Sequence, residues 1–196
     1  MLASLPLPSL ETRLQLHAGT ALSLLSAALF TWLWRAEDLH ALLPRQGEQW
    51  LAWALFFLPI YRTVHHILQR PRQRQLGDLI GLYLGLVLQF AVVYYLFALL
   101  LVNGRAFHGM TALYDAQGGF LPDFYSKAAL LFLDCFHLSI ATAATVGYGD
   151  MYPTYWPIRL LADLQIIFTS ALVIVGFGRH FSGQGPRDAG DQASSR

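Results

Sequence analysis

Six residues stand out by type and spacing: Thr145-Val146-Gly147-Tyr148-Gly149-Asp150. Gly147 and Gly149 permit positive φ, so the carbonyls of Thr145, Val146, Gly147 and Tyr148, with the Thr145 hydroxyl, can all be turned to one side. Rings of such oxygens replace the water shell of a dehydrated potassium ion. One loop per chain cannot encircle an ion, so the chemistry implies a homotetramer. Irregular backbone at membrane depth is tolerated only where protein buries it or where it lines a watery path, since an unsatisfied carbonyl in lipid costs several kcal/mol.

The elements around the loop have to hold it in a membrane. Of 196 residues, 55% are hydrophobic and 13% charged, a balance that calls for lipid as solvent. A net charge of +1 argues against nucleic acid as a partner. Leu14–Trp34 is an uncharged apolar run after Arg13, without the small-residue cleavage pattern of a signal peptide, and reads as a retained anchor. Trp50–Leu68 is a second span, with Pro59, Arg62, His65 and His66 in its later part, where Arg62 can snorkel to an interface. Leu79–Val102 carries no charge and is long enough to cross. Lys127–Ala144 is broken by Asp134, His137, Ser139 and Thr142 and stops at the glycine-bearing loop, so it reads as a helix that enters the membrane without crossing. The last span runs from about Pro157, suited to a first helical turn, to Phe177.

The fold class is therefore an all-α integral membrane protein with four transmembrane helices, a re-entrant pore helix and a filter loop. Residues 1–76 form a two-helix membrane region with a basic loop, residues 77–178 the pore domain, and residues 179–196 a disordered polar tail. Arg13, Arg70, Arg72, Arg74, Arg179, Arg187 and Arg196 fall on one face. Only Arg35, Arg45, Arg105 and Lys127 fall on the other, so the positive-inside rule puts both termini in the cytoplasm and the loop outside. The segment between Val102 and Lys127, with Asp115, Gly118, Gly119, Pro122 and Asp123, reads as a solvated turret.

From Leu79 to Gly178 the chain resembles the two-transmembrane-pore potassium channel family, in its prokaryotic form. Asp134, Ser139 and Thr142 stand where that family's pore helix has Asp, Ser and Thr. Tyr152-Pro153 followed by Arg159 fits the start of its inner helix. The resemblance implies a cell-membrane channel that passes K+ through Thr145, Val146, Gly147, Tyr148 and Gly149, with Asp150, His137 and Thr142 supporting the filter. Ala144 replaces the family's usual Thr, and His137 replaces an aromatic ring that in relatives often bonds the filter aspartate. An imidazole facing Asp150 would make the filter respond to pH. Thr169-Ser170-Ala171 stands where the family has its hinge glycine, which puts hinge gating in doubt and leaves Asp163, Thr169 and Ser170 as gate or cavity candidates. Asp163 and Gln165 are costly facing lipid, so at least one should face protein, through an interhelical hydrogen bond, or the water-filled cavity. Gly176 and Gly178 mark an end that flares.

Other chemistries are weakly represented. A voltage sensor needs repeated arginines in one span; Arg70, Arg72 and Arg74 instead alternate in a Pro-containing loop and read as anchors that touch anionic lipid. His65-His66 are adjacent and point roughly 100° apart on a helix, which disfavours a shared metal. Cys135 reads as a packed helix residue. No nucleophile and base pair indicates an enzyme, and no cofactor is implied beyond the permeant K+. Two alternatives remain. One is a silent or regulatory subunit that assembles with other potassium-channel chains; the other is a potassium transporter subunit, which usually carries several degenerate filter repeats where this chain has one.

Overall fold

The computed structural model describes residues 76–101, 106–115 and 119–182, together with helical positions 21, 24, 25, 27–32 and 35. Most of Leu14–Trp34 and all of Trp50–Leu68, Arg70, Arg72, Arg74 and the tail from 183 lie outside the described residues. Among the described residues three long helices dominate: α1 (Leu76–Leu100), α2 (Phe124–Ala143) and α3 (Trp156–Ser182). All three are long and apolar enough to cross a membrane, the middle one being the least apolar. Such helices suit lipid because every interior N–H and C=O is satisfied within the segment.

Length alone does not make α2 a crossing helix. The chain leaves α1 at its C-terminal end, where the Leu99 carbonyl accepts the Tyr114 hydroxyl at 2.9 Å. Strand β1 (Phe107–His108) then pairs antiparallel with β2 (Tyr152–Pro153), Phe107 opposite Pro153 and His108 opposite Tyr152. Helix α2 and its following loop thus depart from and return to one end of the α1–α3 pair. The far end of α2 reaches only to the middle of α1, where the Ser139 hydroxyl donates to the Val87 carbonyl at 2.7 Å. Val87 lies thirteen residues before Leu100, which is roughly 20 Å at the helical rise. Ser139, one turn before the end of α2, is thus level with the middle of α1.

Helix α3 runs antiparallel to α1, since Tyr94 meets Gln165 and Leu79 meets Gly176. A β-carbon at Gly176 would stand 2.9 Å from a methyl of Leu79, so the two backbones approach closely here, as small residues in membrane helices allow. Pro157 falls in the first turn of α3, where its missing N–H is harmless. The helix continues to Ser182, past the boundary at 178 that the polar composition of the tail suggests.

The segment before α2 also departs from a solvated turret. Ala106, Phe107 and Leu113 are buried in the core with Phe90, Tyr94, Leu99, Ile158 and Leu161, and Phe107 packs edge-on against Tyr94 at 5.9 Å. From the N-terminal positions, Ala27 and Phe30 join that core. The Thr31 hydroxyl lies 2.8 Å from the Tyr95 hydroxyl, and the Arg35 guanidinium sits 4.8 Å over the Phe120 ring, a cation–π contact.

Candidate functional site

The loop begins with the way α2 ends. Past the cap residue Ala144, the Thr145 N–H donates to the Thr142 carbonyl at 3.0 Å and the Val146 N–H to the Ala141 carbonyl at 2.9 Å. These two reversed bonds are a Schellman closure, which needs a left-handed residue just past the cap and usually takes Gly there. Here that residue is Thr145, at φ 55°. A β-branched side chain in this region costs on the order of 1–3 kcal/mol. Thr142 thus supports the loop through its carbonyl.

Positive φ recurs at Gly147 (54°) and Gly149 (82°), while Val146 and Tyr148 between them stay negative. Alternating handedness lines successive N–H groups along one edge of the chain and carbonyls along the other, unlike a strand. The glycines are as the sequence requires; the left-handed Thr145 is not announced by its residue type. A β-carbon added at Gly147 or Gly149 would meet nothing of this chain within 4 Å, and Val146 and Tyr148 are 52% and 67% exposed. The last turn of α2 carries no basic residue, so the negative end of its dipole points at the start of the loop. Carbonyls lined along one edge are the kind of oxygen row that can face a cation.

Behind the loop, His137 and Asp150 lie near each other, as the resemblance implies. The His137 Nε2 lies 4.0 Å from the Asp150 Oδ2, beyond hydrogen-bond length, and the His137 ring stacks on Tyr148 at 5.6 Å. Asp150 also accepts the Met151 N–H at 3.0 Å. The turret contributes contacts that no motif signals. A β-carbon at Gly109, itself at φ 78°, would collide with the Asp150 carbonyl oxygen, so only glycine lets the backbone pass there. One oxygen of Asp134 accepts both the N–H (2.8 Å) and the hydroxyl (2.6 Å) of Thr111. His108 stacks on Tyr152 at 4.9 Å, and Arg159 donates to the Pro153 carbonyl at 3.0 Å.

On α3 the polar residues separate. Gln165 is wholly buried and bonded between helices, whereas Asp163 is exposed. Thr169 is also wholly buried, its hydroxyl bonded back to the Gln165 and Ile166 carbonyls of its own helix. Ser170 is partly buried. Cys135 is buried, with its thiol 3.9 Å from the Met110 sulfur.

A family model described as an ion channel matches residues 82–181, just over half of the chain, from the second turn of α1 through the loop into the last turn of α3. No curated protein matches, and no solved structure does.

Proposed function

This chain belongs to the two-transmembrane ion-channel family of potassium-channel type, and from that premise we propose that it is the pore subunit of a potassium-selective channel. The carbonyls of Thr145, Val146, Gly147 and Tyr148 and the Thr145 hydroxyl hold K+ in place of water, and Gly149 lets the chain leave the column. The observation that carries this reading is the alternation of positive φ at Thr145, Gly147 and Gly149, set directly on the end of α2. Passage is passive, down the electrochemical gradient, and no catalysis is involved.

Four copies surround the ion, because each supplies one side of the column. The channel sits in the cell membrane with both termini cytoplasmic, as the excess of Arg on that face demands, and Arg70, Arg72 and Arg74 meet anionic lipid there. We read four crossings per chain; of the N-terminal helical positions, Thr31 meets Tyr95 of α1 and Arg35 lies over Phe120, just before α2.

The test is the reversal potential of the purified protein in a planar bilayer with K+ on one side and Na+ on the other. A reversal near the potassium equilibrium value, abolished by Gly147→Asp, supports the assignment. Equal Na+ current would remove it, and silence of the pure protein would favour a subunit that conducts only with other chains.

A further inference from the structure

One group of buried polar side chains ties all three helices of the pore region together. The Tyr94 hydroxyl of α1 donates to the Gln165 Oε1 at 2.7 Å. The Gln165 Nε2 donates to both the carbonyl and the hydroxyl oxygen of Ser139 on α2, each at 2.8 Å. The Ser139 hydroxyl in turn donates to the Val87 carbonyl of α1 at 2.7 Å. All three side chains are wholly buried. Within a membrane such groups have no water to fall back on, so the chain of bonds has one satisfied arrangement and resists sliding of any helix past another.

Its place matters for the loop. Ser139 lies one and a half turns before Thr145, and the Ala141 carbonyl that closes the Schellman turn is two residues further along the same rigid helix. Nearer its start α2 is held by the two bonds from Thr111 to Asp134, and His137 meets Asp150 at 4.0 Å, beyond hydrogen-bond length; among the described residues, the bonds of Ser139 tie the last two turns of α2 to the other helices. We propose that Gln165 sets the potassium affinity of the filter, as a positioning residue that fixes the depth of α2 and so the level of the Thr145 and Val146 oxygens. The proposal rests on the potassium reading of the loop. Gln165 touches no ion; it acts through Ser139. An amide suits the task because it donates to Ser139 and accepts from Tyr94 at once, which no apolar residue of similar size does.

The experiment is thermal unfolding of the purified full chain at increasing K+, with Na+ holding ionic strength constant. Binding of K+ to the folded filter stabilises it by RT ln(1 + [K+]/Kd), so Tm is flat below Kd and climbs with log [K+] above it; the Kd fitted to that curve, the K+ concentration that half-saturates the filter, reports filter affinity separately from general stability. Gln165→Met and Tyr94→Phe are the variants. The comparison variant is Tyr95→Phe, which deletes the neighbouring hydroxyl that meets Thr31 and touches no part of the chain through Gln165. Gln165→Met and Tyr94→Phe are expected to raise the half-saturating K+ by roughly fivefold or more, a usual size for coupling between sites. Tyr95→Phe is expected to lower Tm equally in both salts and leave the half-saturation unchanged. If Tyr94→Phe and Gln165→Met also lower Tm equally in K+ and Na+ with half-saturation unchanged, Gln165 is merely structural and the proposal falls. Should Gln165→Met fail to fold, Tyr94→Phe alone decides in the same way. A wild-type protein whose Tm does not distinguish K+ from Na+ would overturn the potassium reading itself, and this proposal with it.

Discussion

At the scale of the residue, the loop is a contest between backbone strain and ligand supply, and Thr145 holds both sides of it. Its left-handed φ of 55° is a conformation glycine adopts freely and a β-branched residue does not. Thr145→Gly should therefore raise stability in K+-free buffer by roughly 1 kcal/mol, relief of strain outweighing the entropy of glycine, while weakening K+ binding through loss of the hydroxyl. Unfolding curves with and without K+ would show both effects; a variant destabilised in K+-free buffer would contradict the strain. His137 poses the second question at this scale. Its ring stacks on Tyr148, and its contact with Asp150 is 4.0 Å long between groups 46% and 58% exposed, so solvent leaves that contact weak and the stacking is the larger part of its support. His137→Phe, which keeps a ring and loses the contact with Asp150, should leave the decay of current near wild type, whereas His137→Ala, which loses both, should speed it. Equal decay in wild type and both variants would clear His137 of the role. The pairing with Asp150 was legible from sequence through the resemblance alone, whereas the handedness of Thr145 was not, because it is imposed by the closure of α2 and not by residue type.

At the scale of the element, apolar runs without charge announce helices, and α1, α2 and α3 lie close to where hydropathy and the polar breaks at Asp134, His137 and Thr142 suggest. Boundaries drift by a few residues, as at Ser182, because a helix continues through a polar end whenever its backbone bonds are satisfied. The ribbon of β1 and β2 was not legible. Two-residue strands in a stretch with Gly109, Asp115 and Gly119 carry no periodicity, and only the tertiary pairing of His108 with Tyr152 creates them. Gln165 was recognisable as a polar residue in need of a partner, but Tyr94, 71 positions away, was not recognisable as that partner. Two glycines separate local from tertiary constraint here. Gly109→Ala drives a β-carbon into the Asp150 carbonyl oxygen in a left-handed position, and should cost about 2 kcal/mol or more while altering K+ selectivity at the loop's exit. Gly176→Ala meets only the methyl ends of Leu79, which can rotate aside, and gains about 1 kcal/mol of helix propensity. It should remain within about 1 kcal/mol of wild type. Thermal unfolding of the two variants side by side checks the contrast, and equal losses would mean that the turret does not brace the filter exit.

At the scale of the whole molecule, the question is what covers the loop. Exposed apolar faces on α3, with Leu160, Leu164, Ile167 and Ile174 among them, place no demand on a partner, because lipid solvates them as well as protein does. The residues from Ala144 to Asp150 are different: all are exposed in the single chain, and the loop starts beyond Ser139, at the level of the middle of α1. Carbonyls at that depth, turned along one edge and facing lipid, would each cost several kcal/mol. Only other protein chains around a shared aqueous axis relieve that cost, and coordination of a dehydrated cation requires oxygens from several sides. On the proposed potassium reading the assembly is expected to be a tetramer of the 21.9 kDa chain, and K+ is expected to stabilise it against dissociation as well as unfolding, since an ion on the shared axis would bridge all four copies. Light scattering with detergent correction gives the protein mass directly. Dilution in Na+ should release monomers at higher protein concentration than dilution in K+, and Gly147→Asp should erase that difference between the salts. A protein that stayed monomeric or dimeric while passing selective K+ current would break the link argued here between the geometry of one loop and the symmetry of the molecule.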